Sequence, residues 1–347
     1  MRNILCVTLI ALLGGCTSTS VTEKYQDKRN DIINVKDKVI EFETGNVLIG
    51  SVSRLYMSNK CLLIADHKSV DKQIHIFNKN DFSYLTSIGN FGEGPEEITV
   101  MGCLAIDEAH HQLYVSDHAK QKIFSYDMDS VMVDSLYKPQ VKTAMNETLF
   151  PSEYQYINDT LSIAVLIKPT STSTFNQFLG RWNMNTGEMI PMKYTHPDIQ
   201  KKRITFAASE KAGIYVECYT RHDLMTICSL DGELLYNIYG PDWDGGNGNK
   251  LQSFGTVMIG NDKIFVSYCG EDYARDSFPT KILVFDLEGN YLKTLETGYK
   301  ISDCCYDSFN NRIILSLNDV VQFAYLDIDG IISVSYTHLR AHETLAN

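Results

Sequence analysis

Apolar and polar positions alternate over short runs along the whole chain, and nowhere do they hold a 3.6-residue period long enough for a substantial helix. One signature, an apolar run closed by a small or polar residue, recurs as Leu62-Leu63-Ile64-Ala65, Leu113-Tyr114-Val115-Ser116, Leu161-Ser162-Ile163-Ala164, Ile214-Tyr215-Val216-Glu217, Ile264-Phe265-Val266-Ser267 and Ile313-Ile314-Leu315-Ser316. Its third members stand at 64, 115, 163, 216, 266 and 315, so the steps are 51, 48, 53, 50 and 49. Constant spacing of this length marks a repeat architecture. Each copy follows another extended run (Arg54 to Met57, Gly102 to Ile106, Glu153 to Ile157, Ile204 to Ala207, Thr256 to Ile259, Cys304 to Tyr306). Each precedes a third run and a hairpin turn, such as Asp127-Met128-Asp129-Ser130, Asn183 to Gly187, Ser229 to Gly232, Asp286 to Gly289 and Asp327 to Gly330. Asp and Asn accept local backbone amides and Gly supplies positive φ, as tight turns require.

Four short strands in about fifty residues, repeated six times, predict an all-β fold: a six-bladed β-propeller with four-stranded antiparallel blades. The expected blades cover residues 50–98, 99–149, 150–202, 203–252, 253–298 and 299–333 of a propeller spanning 36–333. A toroid needs a latch, and Lys38-Val39-Ile40-Glu41-Phe42 is a spare strand expected at the outer edge of blade six, whose own last strand would begin at Ile331. Insertions at Ile167 to Gln177, Gly240 to Asn249 and Cys269 to Thr280 lengthen three connections, which is where binding specificity tends to reside on a rigid scaffold.

The two ends read differently. Met-Arg-Asn, an apolar run from Ile4 to Leu13 and Gly14-Gly15-Cys16 make a signal peptide over residues 1–15, too short to span a membrane as a mature helix. Leu13-Gly14-Gly15-Cys16 resembles the bacterial lipobox, which implies lipidation of Cys16, a lipidated tether over 16–35 and anchoring through acyl chains. Thr17 in the second mature position resembles the pattern sorted to the Gram-negative outer membrane, so a periplasm-facing outer-membrane lipoprotein is expected. Residues 334–347, beginning Val334-Ser335-Tyr336-Thr337-His338-Leu339, resemble the conceptual translation of a sequencing-library adapter and are excluded from function as a non-native tail.

Composition adds limits. The 347 residues carry 31 Lys+Arg against 43 Asp+Glu, a formal charge of −12, without a basic block, so nucleic acid is not the expected partner. At 44% hydrophobic the chain can fill a core. The seven cysteines beyond Cys16 lack metal-ligand spacing and read as buried small hydrophobes.

Ile88-Gly89, Gly92-Glu93-Gly94-Pro95 and Glu97 follow blade one, and with the repeat they resemble the six-bladed, TolB-like propeller lipoproteins of Gram-negative bacteria, which tend to carry Gly-x-Gly-Pro-x-Glu there. Ile98 stands where that resemblance calls for an aromatic. The resemblance implies fold and compartment and no reaction. A phosphate loop is not implied, because the glycines precede a strand and not a helix N-terminus.

Candidate binding chemistry gathers where the innermost strands line the axis. Arg54, Glu153, Arg203 and Asp303 belong to blades one, three, four and six, so two arginines and two carboxylates are expected to face across one funnel and take a polar, zwitterionic or carboxylate ligand. Weaker candidates are Asp66-His67 and Asp117-His118, in one register after the second strands of blades one and two, where the ordinary alternative is a capping Asp and a solvated His. Trp243 could stack on a sugar or dock a partner. No catalytic residue, cofactor or metal site is assigned. The expected function is a monomeric, non-catalytic binding or scaffold propeller that presents a loop-rich face to a periplasmic protein or small polar ligand. The alternatives are a metal-dependent hydrolase or lactonase-like enzyme and a carbohydrate-capture lipoprotein.

Overall fold

The computed structural model describes residues 22–332, apart from 135, 172, 249 and 276. Lipidation at Cys16, the signal peptide and the adapter-like tail lie outside the described residues. Six antiparallel sheets follow one another in chain order. Blade one is built from Ser53–Met57, Cys61–Asp66, Lys72–Asn78 and Tyr84–Asn90, and blade two from Met101–Asp107, Gln112–Asp117, Lys122–Asp127 and Gln140–Ala144. Blade three uses Phe150–Asn158, Leu161–Pro169, Phe175–Trp182 and Met189–Pro191. In blade four the strands are Ile204–Ser209, Ile214–Tyr219, Leu224–Ser229 and Leu234–Tyr239. Blade five has Leu251–Gly260, Lys263–Asp272, Lys281–Asp286 and Tyr291–Glu296; blade six has Ile301–Asp307, Arg312–Leu317 and Phe323–Asp327. The recurring apolar signature is the second strand of each blade. It is buried on both faces between neighbouring sheets, as in Cys61–Asp66, Ile214–Tyr219 and Arg312–Leu317, where every residue is buried.

Blade six is closed by the N-terminal latch. Val39–Glu41 pairs antiparallel with Phe323–Asp327 (Tyr325 opposite Ile40), and Phe42 stacks on Phe82 of blade one at 3.9 Å. Ile331 and Ile332, expected to start a last strand, instead form a buried turn, since the edge they would have filled is already occupied. The expected tether also needs correction over its described part. Glu23–Tyr25 adds in parallel to the outer strand of blade four and Ile32–Asn34 to that of blade five, so residues 23–41 form a strap along three blades in succession. Between the two parallel pairings, the Arg29 guanidinium donates to Asp223 Oδ1 at 2.8 Å, with both side chains buried.

The seam between blades six and one carries a second buried ionic cluster. Asp307 accepts from Lys79 Nζ at 2.9 Å and from Arg312 Nε at 3.3 Å, and Arg312 also donates to the Lys79 carbonyl. One expected hairpin turn is a helix: Asp127 accepts from the Ser130 amide at 2.7 Å and caps Met128–Val133, whose Val131 is buried. A left-handed residue closes the turn between the first and second strands in several blades, as Gly213, Asn261 and Asn311. Because the strands alternate, the starts of the innermost strands and the loops between second and third strands share one end of the toroid, termed here the loop face.

Candidate functional site at the channel mouth

The innermost strands surround a central cavity of about 1640 Å³. At its loop-face end several of these strands are irregular, with register shifts at Pro151/Glu153, Ile301/Asp303 and Met101/Leu104. Bulges of this kind re-aim side chains that a regular pleat would alternate away from the axis. Arg54 Nη1 donates to Glu153 Oε1 at 2.7 Å, reaching past blade two to blade three. This pair is 47% and 39% exposed, so solvent and ligands have access to it. Asp303 sits deeper, accepting from the Leu55 amide at 2.7 Å and from Thr256 Oγ1 at 2.8 Å. Burial works against the Arg54 charge, but the carboxylates of Glu153 and Asp303 outweigh it and hold the guanidinium firmly protonated. Burial raises Asp303, and its hydrogen bonds from Leu55 and Thr256, with the nearby Arg54, only partly offset that.

Arg203 does not join them. Its blade-four strand begins at Ile204, and the Arg203 carbonyl accepts from the Thr220 amide at 2.8 Å. Val52 and Val100 hold the same place in blades one and two, accepting from the His67 and His118 amides. All three therefore precede their strands and belong to the rim. The Arg203 guanidinium lies over the Phe175 ring at 5.4 Å, on the hairpin that the blade-three insertion lengthens.

The Asp-His pairs divide their labour. Asp66 accepts from the Gly50 and Lys68 amides, and Asp117 from those of Thr99, Val100, Ala119 and Lys120, so both carboxylates fix loops. The histidines are not solvated as the ordinary reading has it; His67 and His118 both line the cavity, and Nε2 of each is buried without a hydrogen-bond partner among the described residues. Burial lowers both, with the positive charge of Arg54 adding to the effect, so they are neutral imidazoles at neutral pH. Gly102 makes room for His118, since a Cβ there would lie 2.3 Å from Nε2. Sequence reasoning singled out the pairs but not their direction, which for His118 depends on the space left by Gly102 in the innermost strand of its own blade.

Trp243 is placed elsewhere. Its ring packs against Tyr239, His196 and His222 at 5.0, 5.6 and 5.9 Å, partly buried in a cluster that also includes a bond between His196 Nε2 and the Tyr239 hydroxyl. It caps a packed layer and does not face the channel. The Gly92–Gly94 loop is folded around its own acid: Gly94 donates to Glu97 Oε2 at 2.8 Å, and Lys120 Nζ bonds the Gly94 carbonyl at 2.6 Å. Glu97 fills the space an anion would need, and the loop is a crossover between blades. Among the described residues, Asp107, His110 and Asp159 form the one group with metal-ligand proximity, and it lies on the face opposite the channel mouth. The seven cysteines among the described residues are all buried, and burial pushes the Cys103 thiol up to about 12, which leaves it an unreactive thiol at neutral pH.

Comparison with known proteins agrees with this architecture. The family model DUF5128, described as a 6-bladed beta-propeller, matches residues 18–176. Together with the six sheets it establishes a six-bladed β-propeller with four-stranded antiparallel blades. Among solved structures, a member of the DUF4221 family from Bacteroides vulgatus superposes with a TM-score of 0.56 at 10% identity, covering 86% of this chain and 98% of that one. A Bacteroides fragilis protein described as exported by inference gives 0.54 at 14% identity over 85% and 87%. The β-propeller domain of Myceliophteria thermophila Cps50 (Swd1) gives 0.52 at 10% identity over 83% and 98%. At these identities the likeness is one of fold. No curated protein matches the chain.

Proposed function

We propose that this protein is a non-catalytic binding propeller whose ligand enters the channel at the loop face and presents a carboxylate to Arg54. The half-exposed Arg54–Glu153 pair carries this reading. A guanidinium offers a planar fork of donors matched to carboxylate geometry, and Glu153 holds that fork ready at modest cost, because an exposed ion pair contributes only about 0–1 kcal/mol. The residues lining the cavity include the cations Arg54, Lys68 and Arg221 against the anions Glu153 and Asp303, a cationic excess on a chain of charge −12. The mouth therefore draws an anion that the rest of the surface repels.

The proposed setting is the Gram-negative envelope, with acyl chains on Cys16 holding a monomeric propeller at the outer membrane, facing the periplasm, toward a small polar ligand or a periplasmic protein. The lipobox-like Leu13-Gly14-Gly15-Cys16, the resemblance of the Gly-x-Gly-Pro-x-Glu loop to that of TolB-like lipoproteins and the fold neighbour described as exported by inference support that placement. Metabolic labelling with an alkyne-bearing fatty acid tests the anchor: label is expected on the wild type and not on Cys16→Ser. For binding, calorimetry with a panel of amino acids, dicarboxylates and dipeptides is expected to show ligands whose affinity disappears in Arg54→Glu. Stoichiometric calcium or zinc in the purified protein would instead favour a metallohydrolase.

A further inference from the structure

The surroundings of Arg54 narrow the ligand class, an inference that rests on the binding reading above. Val52, Phe91, Val100, Tyr273 and Phe278 all line the mouth and are 37–50% exposed. Beside them on the loop face, Leu48, Val70 and Val320 are almost fully exposed, and Gln322 Nε2 ties the last of these loops to the first through the Ile49 carbonyl at 2.9 Å. A monomeric surface rarely gathers apolar side chains around one opening without a partner for them. The lining between them is not hydrocarbon-like: Gln73, Gln252, Thr205 and Asn318 supply amide and hydroxyl groups among the apolar ones. A plain acyl chain would leave those groups unpaired, whereas peptide groups satisfy them. We propose that the mouth binds the free C-terminus of a peptide or protein whose last residues are apolar, with the terminal carboxylate on Arg54 and the side chains on the Val52, Val100 and Phe278 rim. The net cationic lining matches the terminal carboxylate.

Fluorescence polarisation with an N-terminally labelled Gly-Ser-Ala-Leu-Val-Phe peptide, as free acid and as C-terminal amide, tests this. The acid is expected to bind saturably, the amide about tenfold or more weakly, and Arg54→Met to remove the difference between them. Val100→Ser combined with Phe278→Ser is expected to weaken the acid several-fold at unchanged Tm, because both side chains are already partly exposed, and decanoate is expected not to compete. Equal affinity for acid and amide, displacement by decanoate, or no binding of the acid overturns the peptide inference. If the peptide fails while amino acids or dicarboxylates still bind in an Arg54-dependent way, only this inference falls; if nothing binds through Arg54, the binding reading falls with it.

Discussion

Two places in this propeller use the same chemistry under opposite conditions. At the seam between blades six and one, Asp307 is sealed between Lys79 and Arg312, its side chain 1% exposed. At the channel mouth, Arg54 and Glu153 meet with nearly half of each side chain open to solvent. A buried pair is costly to break because the survivor is stranded without water, whereas an exposed pair is cheap to open. One arrangement therefore fixes the ring, and the other is open enough for the exchange that the proposed carboxylate binding requires. Two buried carboxylates titrate in opposite directions according to their partners. Burial would push Asp307 up, but the hydrogen bonds from Lys79 and Asn310 bring it below the usual carboxylate value, while Asp303 near the mouth is raised by burial with weaker compensation.

The comparison breaks first, and most heavily, at the seam. Asp307→Ala leaves two buried cations facing each other and is expected to cost about 3–5 kcal/mol, lowering Tm on the order of 10 °C in a calorimetric scan. A loss under 1 kcal/mol would mean the seam cluster is not what closes the ring. Next in size is Arg29→Met, which strands Asp223 beneath the strap and is expected to cost about 3 kcal/mol, with hydrogen exchange rising in residues 23–34 ahead of the blades. Smaller still is Arg203→Glu, expected to leave Tm unchanged and to weaken an anionic ligand only a few-fold, far less than Arg54→Glu does, because its guanidinium lies on the rim over Phe175 and outside the Arg54–Glu153–Asp303 cluster.

The smallest effects are in pH. Since Asp307 is lowered in the fold, its stability contribution is complete above the ordinary carboxylate value of 3.8 and is lost as pH falls through the folded value. Asp303, raised, has the opposite sign: what it contributes is present below 3.8 and lost as pH rises through its folded value. His67 and His118 are lowered, so their neutral burial costs stability as pH drops below 6.5. Side-chain NMR titration is expected to place both histidines below 6.5 and His110, raised by its bond to Asp107, above it.

Most of the fold could be read from periodicity, because burying the second strand on both faces forces an apolar run that recurs with each blade, and Val39-Ile40-Glu41 kept enough of that pattern to be recognised as the latch. Glu23–Tyr25 and Ile32–Asn34 escaped because three-residue parallel additions need no apolar alternation of their own, and Arg29–Asp223 spans a separation that local patterning does not encode. Of the candidate residues, Arg54 meets Glu153 at 2.7 Å and Asp303 sits deeper, with Glu153 and Asp303 both at register shifts that strand position alone does not encode. Arg203 does not join them, because one residue decides whether a side chain lies inside a strand or before it. His118 turns inward into the space beside Gly102, a contact that spacing along the chain does not announce.

The mouth pair is assigned to binding and the buried pairs to closure. Measuring Tm and peptide affinity together on Arg54→Met tests that assignment directly. A Tm within about 2 °C of wild type is expected, as for an exposed pair, with affinity for the free-acid peptide lost. A Tm drop comparable to that of Asp307→Ala, with affinity retained, would contradict that assignment.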